Sequence, residues 1–323
     1  MKRVNVLFTC CLGDYVKGTI DCLKKDKKLK VRIIGTDIEP MIYNFNDIDS
    51  FYCVSRCSNS NYLQEIKNIC LLEKVDVIIP THTTEQSLFC ENIQWFEEKN
   101  IKVIVCKNKD VLETLTDKYK ASLSYESVIT SNEVQTLEDV LKYEKEEGQW
   151  CIKQKNNCGA RGFYKIDFSK KQEIESVLNS NETNIIQKYL SGDEYTVDCF
   201  CKNGIVESCV VKYNPRMENG VALESIVVNN TKVANVCKQI CDKSCYSGPI
   251  GFDVKLDEFG KPFVIDINPR FTATVSLCEK AGANIPLFAL KDVLGMKVCF
   301  PKALNVGVMV VRKKRDIFIT KGV

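Results

Sequence analysis

Histidine is nearly absent from this sequence: His82 is the only one among 323 residues. A Ser-His-Asp or Cys-His catalytic arrangement needs a histidine beside its nucleophile. His82 lies in the first third of the chain, which we expect to be away from the motifs described below, so no such arrangement is predicted. The 18 cysteines include no CxxC pair, and with a single histidine they lack the spacing of a zinc site.

An excess of charge and a long apolar segment are also missing. The formal net charge is +3, from 45 basic and 42 acidic residues, which gives no support to a nucleic-acid surface. Basic residues run together at 24–30 and 312–315, and we interpret both runs as solvated turns. No stretch approaches the roughly 20 apolar residues of a membrane helix, and the short apolar start at 4–11 is not typical of a secretion signal. We therefore expect a cytosolic protein with reduced cysteines and no nucleic-acid or membrane partner.

The first part of the chain lacks a dinucleotide fingerprint, because its first loop, 9–14, holds one glycine where GxGxxG needs three. It has instead an alternation of buried strands, at 4–9, 31–37, 75–80 and 101–105, with helices that include 62–73 and 87–99. This alternation predicts a small doubly wound α/β domain with a parallel sheet. Four residues follow its strands and could face one crevice, although we favour strand-end residues without chemistry: Cys10, Asp37, Thr81 and His82.

From about residue 109 the pattern changes to short strands separated by tight turns. We predict strands at 150–153, 163–166, 184–189, 195–201, 205–213, 251–256 and 262–268. Such a run is typical of antiparallel sheets, so the second part is α+β. Between the strands, Cys237, Cys241 and Cys245 recur every four residues, which predicts the buried face of a helix.

The most informative stretch is the predicted hairpin at 251–270, which turns at 257–260. Asp253 and Asp266 can lie on adjacent strands, and Asn268 shares the face of Asp266 because side chains two apart on a strand point the same way. Two carboxylates and an amide oxygen suit Mg²⁺ shared with phosphates. The alternative is a pair of solvated carboxylates on an edge hairpin. The apolar residues around Asp266 argue against it, because an acid in a buried strand needs a partner.

Two further segments are compatible with a nucleotide, although each is nonspecific alone. Lys153 ends a strand and is followed by a loop that contains glycine and runs to residue 162. Backbone N–H groups of such a loop can hold phosphate oxygens, and the lysine adds a positive charge. The loop is not a Walker A sequence, because no GK[ST] follows. The apolar strand 185–190 could lie along the edge of an adenine, and Glu194, just beyond it, could reach the ribose hydroxyls.

Taken in order, these parts resemble the ATP-grasp superfamily, and within it the single-chain proteins similar to the carbamoyl-phosphate synthase large subunit. The resemblance covers nearly the whole chain. It rests on residues 35–37, 76–81, 117–118, 153–162, 187–194 and 253–270. It implies an N-terminal doubly wound, pre-ATP-grasp domain at 1–108, followed by an ATP-grasp fold with an antiparallel sheet. The subdomains of that fold would be 109–186, with the phosphate loop, and 187–323, with the magnesium site.

The resemblance also implies roles for individual residues. The phosphate-binding residues would be Lys118 and Lys153, with the loop residues Asn157, Gly159, Arg161 and Gly162 closing over them. The hinge strand that reads adenine, largely through backbone groups, would be Gln187, Lys188, Tyr189 and Leu190, with Glu194 on the ribose. The magnesium ligands would be Asp253, Asp266 and Asn268, with Arg270 and Arg216 beside the transferring group and the substrate. Many relatives have Glu where this chain has Gln187, and we expect the amide to accept a hydrogen bond from the adenine amino group.

The function that the resemblance implies is an ATP- and Mg²⁺-dependent (or Mn²⁺-dependent) ligase. It would join a small carboxylate, such as an amino acid, to an amine or ammonia through an acylphosphate. Two alternatives stay open: a kinase of carbamate or another small carboxylate, and a non-catalytic nucleotide-binding protein. The chain holds one ATP-grasp unit and no glutamine-amidotransferase segment, so carbamoyl phosphate synthesis is not expected of it alone. Relatives are often homodimers, but patterning identifies no interface here.

Overall fold

The computed structural model describes residues 1–13, 16–40, 47–155, 162–179, 183–218 and 220–313. Its first part is a parallel five-stranded sheet in the order β3-β2-β1-β4-β5. The strands are β1 (Lys2–Phe8), β2 (Leu29–Asp37), β3 (Ser50–Cys53), β4 (Val77–Ile79) and β5 (Lys102–Val103). The helices are α1 (Val16–Leu23), α2 (Tyr62–Leu72), α3 (Thr83–Glu91) and α4 (Ile93–Glu98).

The doubly wound parallel sheet is confirmed, with three differences in detail. The edge strand β3 was missed, because its half-buried residues lack the apolar run of the central strands. The predicted helix at 87–99 is wrong as one element, because it breaks at Asn92, whose side-chain amide donates to the carbonyl of Leu88 at 3.0 Å. The last strand is shorter than predicted, although Ile104 N–H still donates to the carbonyl of Ile78 at 2.9 Å.

Two helices, α5 (Lys109–Thr116) and α6 (Lys118–Ser124), lead from this domain into an antiparallel four-stranded sheet. Its order is β6-β9-β7-β8. The strands are β6 (Ser131–Val134), β7 (Gln149–Gln154), β8 (Tyr164–Lys165) and β9 (Asn184–Tyr189). Helices α7 (Leu137–Leu141) and α8 (Lys171–Leu178) share a small core with it around Trp150 and Ile174. Strand β9 continues across the predicted boundary between residues 186 and 187.

A six-stranded antiparallel sheet follows, in the order β14-β13-β10-β11-β12-β15. Its strands are β10 (Glu194–Lys202), β11 (Ile205–Glu218), β12 (Val221–Val227), β13 (Gly248–Leu256), β14 (Pro262–Asn268) and β15 (Met309–Val311). The helices here are α9 (Thr231–Lys243), α10 (Ser276–Lys280) and α11 (Ile285–Val293). The antiparallel prediction is confirmed, although β12 and β15 were not among the predicted strands.

The parallel domain and the six-stranded sheet share a hydrophobic core, which includes Leu7, Ile66, Val197 and Ile240. This common core fixes the strand ends of the first domain against the sheet that carries the acidic hairpin. Among the described residues, no helix is long and apolar enough to cross a membrane.

The cysteine stripe is partly wrong. Cys237 and Cys241 are buried on α9, but the helix ends at Lys243, and Cys245 lies beyond it on the surface with a positive φ of 50°. Every cysteine that the structure describes is a free thiol.

Candidate functional site

A cleft of about 340 Å³ separates the four-stranded sheet from the six-stranded sheet. Strands β7 and β9 form one wall, strands β13 and β14 form another, and the tip of the β11–β12 hairpin borders it through Met217 and Gly220. Most of the predicted nucleotide and metal residues line it: Lys118, Lys153, residues 187–190, Glu194, Asp253 and Asp266. The fold thus brings residues between Lys118 and Asp266 in the sequence to one surface.

At one end of the cleft, three oxygen-bearing side chains converge. Asp253 on β13 lies directly opposite Asp266 on β14, as the hairpin predicted. The amide nitrogen of Asn268 lies 3.5 Å from a carboxylate oxygen of each aspartate. The amide oxygen points the other way and accepts from Arg270 Nη2 at 3.0 Å, so turning it toward the carboxylates, as a third oxygen donor, would break that bond.

The electrostatics of this acid cluster favour a bound cation. Burial and the nearby carboxylates of Asp266 and Glu194 raise the pKa of Asp253 to about 7. Crowded carboxylates with hard oxygen donors are the chemistry that Mg²⁺ takes, with water and phosphate completing its shell. No cluster of three or more His, Cys, Asp or Glu suited to a metal occurs in the described part of the chain. A metal here would therefore have two carboxylate ligands and depend on the amide and non-protein donors.

Two lysines reach the same end of the cleft from different elements. Lys118 opens α6, whose N-terminus is capped by Asp117, and its ammonium lies 3.2 Å from Asp266. Lys153 projects from β7 and donates to the side-chain oxygen of Gln187 at 2.8 Å. Burial lowers the pKa of Lys153. The two lysines thus lie beside the acid cluster.

The side chain of Gln187 bonds to two groups of the protein. Its buried side chain accepts from Lys153 and donates through Nε2 to Ser131 Oγ at 3.2 Å. The amide therefore joins β6, β9 and β7, and the oxygen expected to accept from adenine is already held by the lysine. Lys188 and Leu190 of the hinge segment line the cleft.

The part of the cleft beside Glu194 contains a residue that the sequence analysis missed. Lys255 lies directly across from Glu194 in the β10–β13 pairing, with its ammonium 3.5 Å from the carboxylate. It also donates to the carbonyl of Leu190 at 3.2 Å. The pairing register of β10 with β13 is the signal that would have predicted the position of Lys255. Tyr189 completes this part of the cleft, with Lys165 4.3 Å above its ring and Phe163 6.3 Å away.

Only Gly162 of the predicted phosphate-loop residues is described; Asn157, Gly159 and Arg161 lie outside the described residues. Gly162 has φ +69°, and a Cβ there would come within 2.5 Å of the side-chain carbon of Gln154. Both the backbone conformation and the close approach require glycine at this position.

Arg270 links the acid cluster to the first domain. Its Nε–H donates to Thr83 Oγ1 at 3.0 Å, and Nη2 donates to Asn268 Oδ1 at 3.0 Å. Thr83 is the first residue of α3 and follows His82, so the placement of this segment away from the motif cluster was wrong. His82 itself caps α3, with Nδ1 accepting from Thr84 N–H at 3.3 Å.

Arg216 is not among the residues that line the cleft. It is more than half exposed and pairs with Glu224 across β11 and β12 at 3.2 Å. The neighbouring Met217 lines the cleft instead, and a β-bulge separates the two residues in the pairing of β11 with β12.

The predicted crevice of the first domain is held together by its own hydrogen bonds. Asp37 accepts from Leu12 N–H at 2.9 Å, and Thr81 donates to the carbonyl of Thr9 at 2.7 Å. Burial and the carboxylates of Glu85 and Asp37 raise the pKa of Cys10 well above its usual range, so its thiol is a poor nucleophile. These contacts support the interpretation of strand-end residues without chemistry.

A buried ion pair beneath the acid cluster was also missed. Lys212 on β11 contacts Asp198 on β10, and both are almost fully buried. Lys212 also donates to Thr272 and Thr274, at 3.3 and 2.6 Å, in the loop that follows Arg270. The only sequence signal was two charged residues inside otherwise apolar strands.

Comparison with protein families matches two parts of the chain. Residues 180–315 match the family described as ATP-grasp in the biosynthetic pathway with Ter operon. Residues 10–104 match the PylC-like N-terminal domain. A search of curated proteins gives no significant match.

Solved structures match over almost the whole chain. The L-amino acid ligase from Bacillus licheniformis superposes with a TM-score of 0.70 at 15% identity, over 91% of this chain and 75% of that one. N5-carboxyaminoimidazole synthetase from Staphylococcus aureus gives 0.70 at 15%, over 95% and 81%. The biotin carboxylase domain of 2-oxoglutarate carboxylase from Hydrogenobacter thermophilus, solved with MgADP and bicarbonate, gives 0.70 at 15%, over 91% and 70%. The chain therefore has the ATP-grasp fold, and its N-terminal part is similar to the PylC-like N-terminal domain.

Proposed function

We propose that this protein is an ATP- and Mg²⁺-dependent ligase that joins a small carboxylate to an amine or ammonia through an acylphosphate. One observation carries the proposal: the acid cluster and two lysines line one cleft together with the hinge strand and Glu194. A nucleotide is the ligand with phosphates and metal at one end and a ribose and base at the other. The family matches and the ligases of the same fold support this assignment.

The proposed nucleotide position follows the chemistry of the cleft wall. Adenine would lie against the backbone groups of Lys188 and Leu190, with the ribose hydroxyls on Glu194. Lys255 would then leave the Leu190 carbonyl or share it with the base. The phosphates would extend toward Lys153 and Lys118, whose charges suit phosphate oxygens. Residues 157, 159 and 161 would belong to the loop that closes over those phosphates.

The proposed metal ligands are Asp253, Asp266 and Asn268, which fit Mg²⁺ or Mn²⁺ by their hard oxygen donors. When bound, the ion would neutralise charge on the phosphoryl oxygens. Asp266 already lies 3.2 Å from Lys118, so the lysine and the acid together define where negative phosphate and positive metal meet.

The proposed reaction has two steps. In the first, a carboxylate oxygen attacks the γ-phosphorus in line, the bond to the bridging oxygen breaks, and ADP leaves. In the second, the nitrogen lone pair attacks the acyl carbon, the nitrogen loses a proton, and inorganic phosphate leaves. Arg270 would hold the transferring group through N–H bonds not used by Thr83, Phe271 and Asn268. No covalent bond to the protein is required, so positioning and charge supply the catalysis.

The acid and the nitrogen partner are proposed only as classes. The L-amino acid ligase of the same fold makes amino acids the first candidates for the carboxylate. We also propose that the chain is related to the carbamoyl-phosphate synthase large subunit. Because it holds a single ATP-grasp unit, carbamoyl phosphate itself is a poor candidate product. Arg216, on the rim beside Met217, could meet a substrate only if the β11–β12 hairpin moved.

The test is a screen for ADP release with amino acids and small carboxylates, each with and without amines or ammonia, followed by mass spectrometry of the product. Ligation predicts that sustained ADP release needs both partners and yields an amide. Turnover that never depends on an amine would identify a kinase instead. Tight ADP binding without turnover on any acid would favour a nucleotide-binding protein.

A further inference from the structure

Three buried polar side chains form a chain of hydrogen bonds that ends on Asp253. Ser225 Oγ on β12 lies 2.6 Å from Asn214 Oδ1 on β11. Asn214 Nδ2 lies 2.9 Å from Thr196 Oγ1 on β10. Thr196 Oγ1 in turn lies 3.1 Å from Asp253 Oδ1 on β13. The chain thus crosses four neighbouring strands of the six-stranded sheet.

The carboxylate fixes the direction of every donor in this chain. With a cation bound, Asp253 would be ionised and could only accept, so Thr196 would donate its single proton to Asp253. Thr196 can then only accept from its other neighbour, which requires the amide nitrogen of Asn214 to face it. The carbonyl oxygen of Asn214 therefore faces Ser225, which donates. All three bonds point toward the acid, and bonds aligned in this way strengthen one another.

The chain is separate from the cleft surface. Thr196, Asn214 and Ser225 are buried, at 6%, 5% and 0% exposure, and none of them lines the cleft. Buried polar groups cost stability unless they are hydrogen-bonded, and apolar residues would fill the same positions without that requirement. Thr196 lies directly opposite Asp253 in the strand pairing, so the chain of hydrogen bonds reaches the acid from the neighbouring strand β10.

We infer that Thr196, Asn214 and Ser225 are positioning residues for the metal site, holding Asp253 Oδ1 so that Oδ2 faces Asn268. The amide of Asn268 is 3.5 Å from that second oxygen. The inference rests on the proposed function, because it assumes that Asp253 is a metal ligand. It adds to the site three residues that touch neither nucleotide nor metal.

Side-chain groups that orient a metal ligand typically change metal affinity about 10- to 100-fold when they are removed. Thr196→Val keeps the shape of the side chain and removes the donor, so Mg²⁺ coupling should fall about tenfold. Thr196→Ser keeps the hydroxyl and should stay near wild type. Ser225→Ala removes only the far end of the chain, so its effect should be smaller, about two- to threefold.

The experiment measures ADP binding by calorimetry in EDTA and in saturating Mg²⁺, for the full-length protein and each variant. The ratio of the two dissociation constants reports the coupling between metal and nucleotide. The dissociation constant in EDTA reports whether the nucleotide pocket is intact. We expect Thr196→Val to lower the ratio about tenfold while the value in EDTA stays unchanged. Asp253→Asn is the reference variant and should abolish the coupling.

The outcomes separate the inference from the proposed function. If wild type binds no ADP, or if Asp253→Asn keeps full coupling, the proposed site fails and the inference fails with it. If Asp253→Asn loses coupling while Thr196→Val and Ser225→Ala both keep it, only the inference is overturned. If Thr196→Val does not fold, as judged by its urea unfolding curve, Ser225→Ala against wild type decides the matter alone.

Discussion

Arg270 and Thr83 are 187 residues apart in sequence and are joined by a 3.0 Å hydrogen bond from Nε to Oγ1. The bond ties the loop after β14, which carries the arginine, to the first turn of α3 in the parallel domain. Because Arg270 also donates to Asn268, the first domain reaches the acid cluster through a single guanidinium. The parallel domain therefore helps to position the proposed site.

Thr83→Val should slow turnover while leaving the fold intact. The substitution keeps the shape of the side chain and removes the acceptor that aligns Arg270, and small displacements of a positioned group reduce rates strongly. We expect kcat to fall about tenfold, with little change in KM for ATP. The measurement is steady-state ADP release with the acid and amine found by screening. Thr83→Ser should recover most of the rate; equal loss in both variants would mean that the hydroxyl is not the cause.

Asp266→Ala should abolish ADP release and preserve the unfolding midpoint. The carboxylate faces Lys118 and the cleft, so its loss removes a proposed metal ligand without opening the core. Glu258→Ala, an exposed acid at the tip of the same hairpin, is the matched control and should keep full activity. Turnover that survives in Asp266→Ala would remove this residue from the proposed site.

The acid cluster could be predicted because its geometry is local. Asp257 accepts hydrogen bonds from two N–H groups of its own turn, and Gly260 takes a positive φ, so the turn is set within a few residues. A β-bulge between Asp253 and Val254 then shifts the pairing by one residue, and this shift places Asp253 opposite Asp266. Alternation along β14 then places Asp266 and Asn268 on one face. The same reasoning works for the parallel strands, whose apolar runs are continuous.

The remaining contacts depend on which distant elements pack together, and local patterns carry no such information. Nothing near Arg270 in the sequence indicates Thr83. Nothing near Lys212 in the sequence indicates its three partners, Asp198, Thr272 and Thr274, which come from other segments. The placement of Arg216 depends likewise on the pairing of β11 with β12, where a β-bulge lies between Arg216 and Met217.

Glu85 should make the stability of the protein fall as pH rises above the ordinary range of a carboxyl group. Its side chain is almost fully buried against Thr9 and Tyr62, and burial raises its pKa. A raised folded pKa means that the folded state binds the proton more tightly than the unfolded state. The stabilisation is therefore complete below the unfolded pKa and is lost as pH rises through the folded pKa.

Urea unfolding of wild type and Glu85→Gln between pH 4 and 8 checks this prediction. Glutamine is neutral at every pH and can still bond both hydroxyls, so the variant should lose the part of the slope that Glu85 contributes. The difference between the two stability curves should grow with pH in favour of the glutamine variant. A difference that is constant with pH would contradict it.

The Lys212–Asp198 pair should show its two effects, on stability and on turnover, in separate variants. Lys212→Met leaves Asp198 buried without its counter-ion, so unfolding should become easier by about 3–5 kcal/mol. Lys212→Met with Asp198→Leu removes both charges and should recover much of that stability.

Turnover should stay low in the double variant, because Thr272 and Thr274 lose the ammonium that anchors the loop after Arg270. Ile66→Ala, a buried change in the first domain costing about 2–5 kcal/mol, controls for lost stability and should keep its turnover at temperatures where it is folded. Urea unfolding and ADP release measure the two effects, and a double variant with wild-type turnover would show that the buried pair serves stability alone.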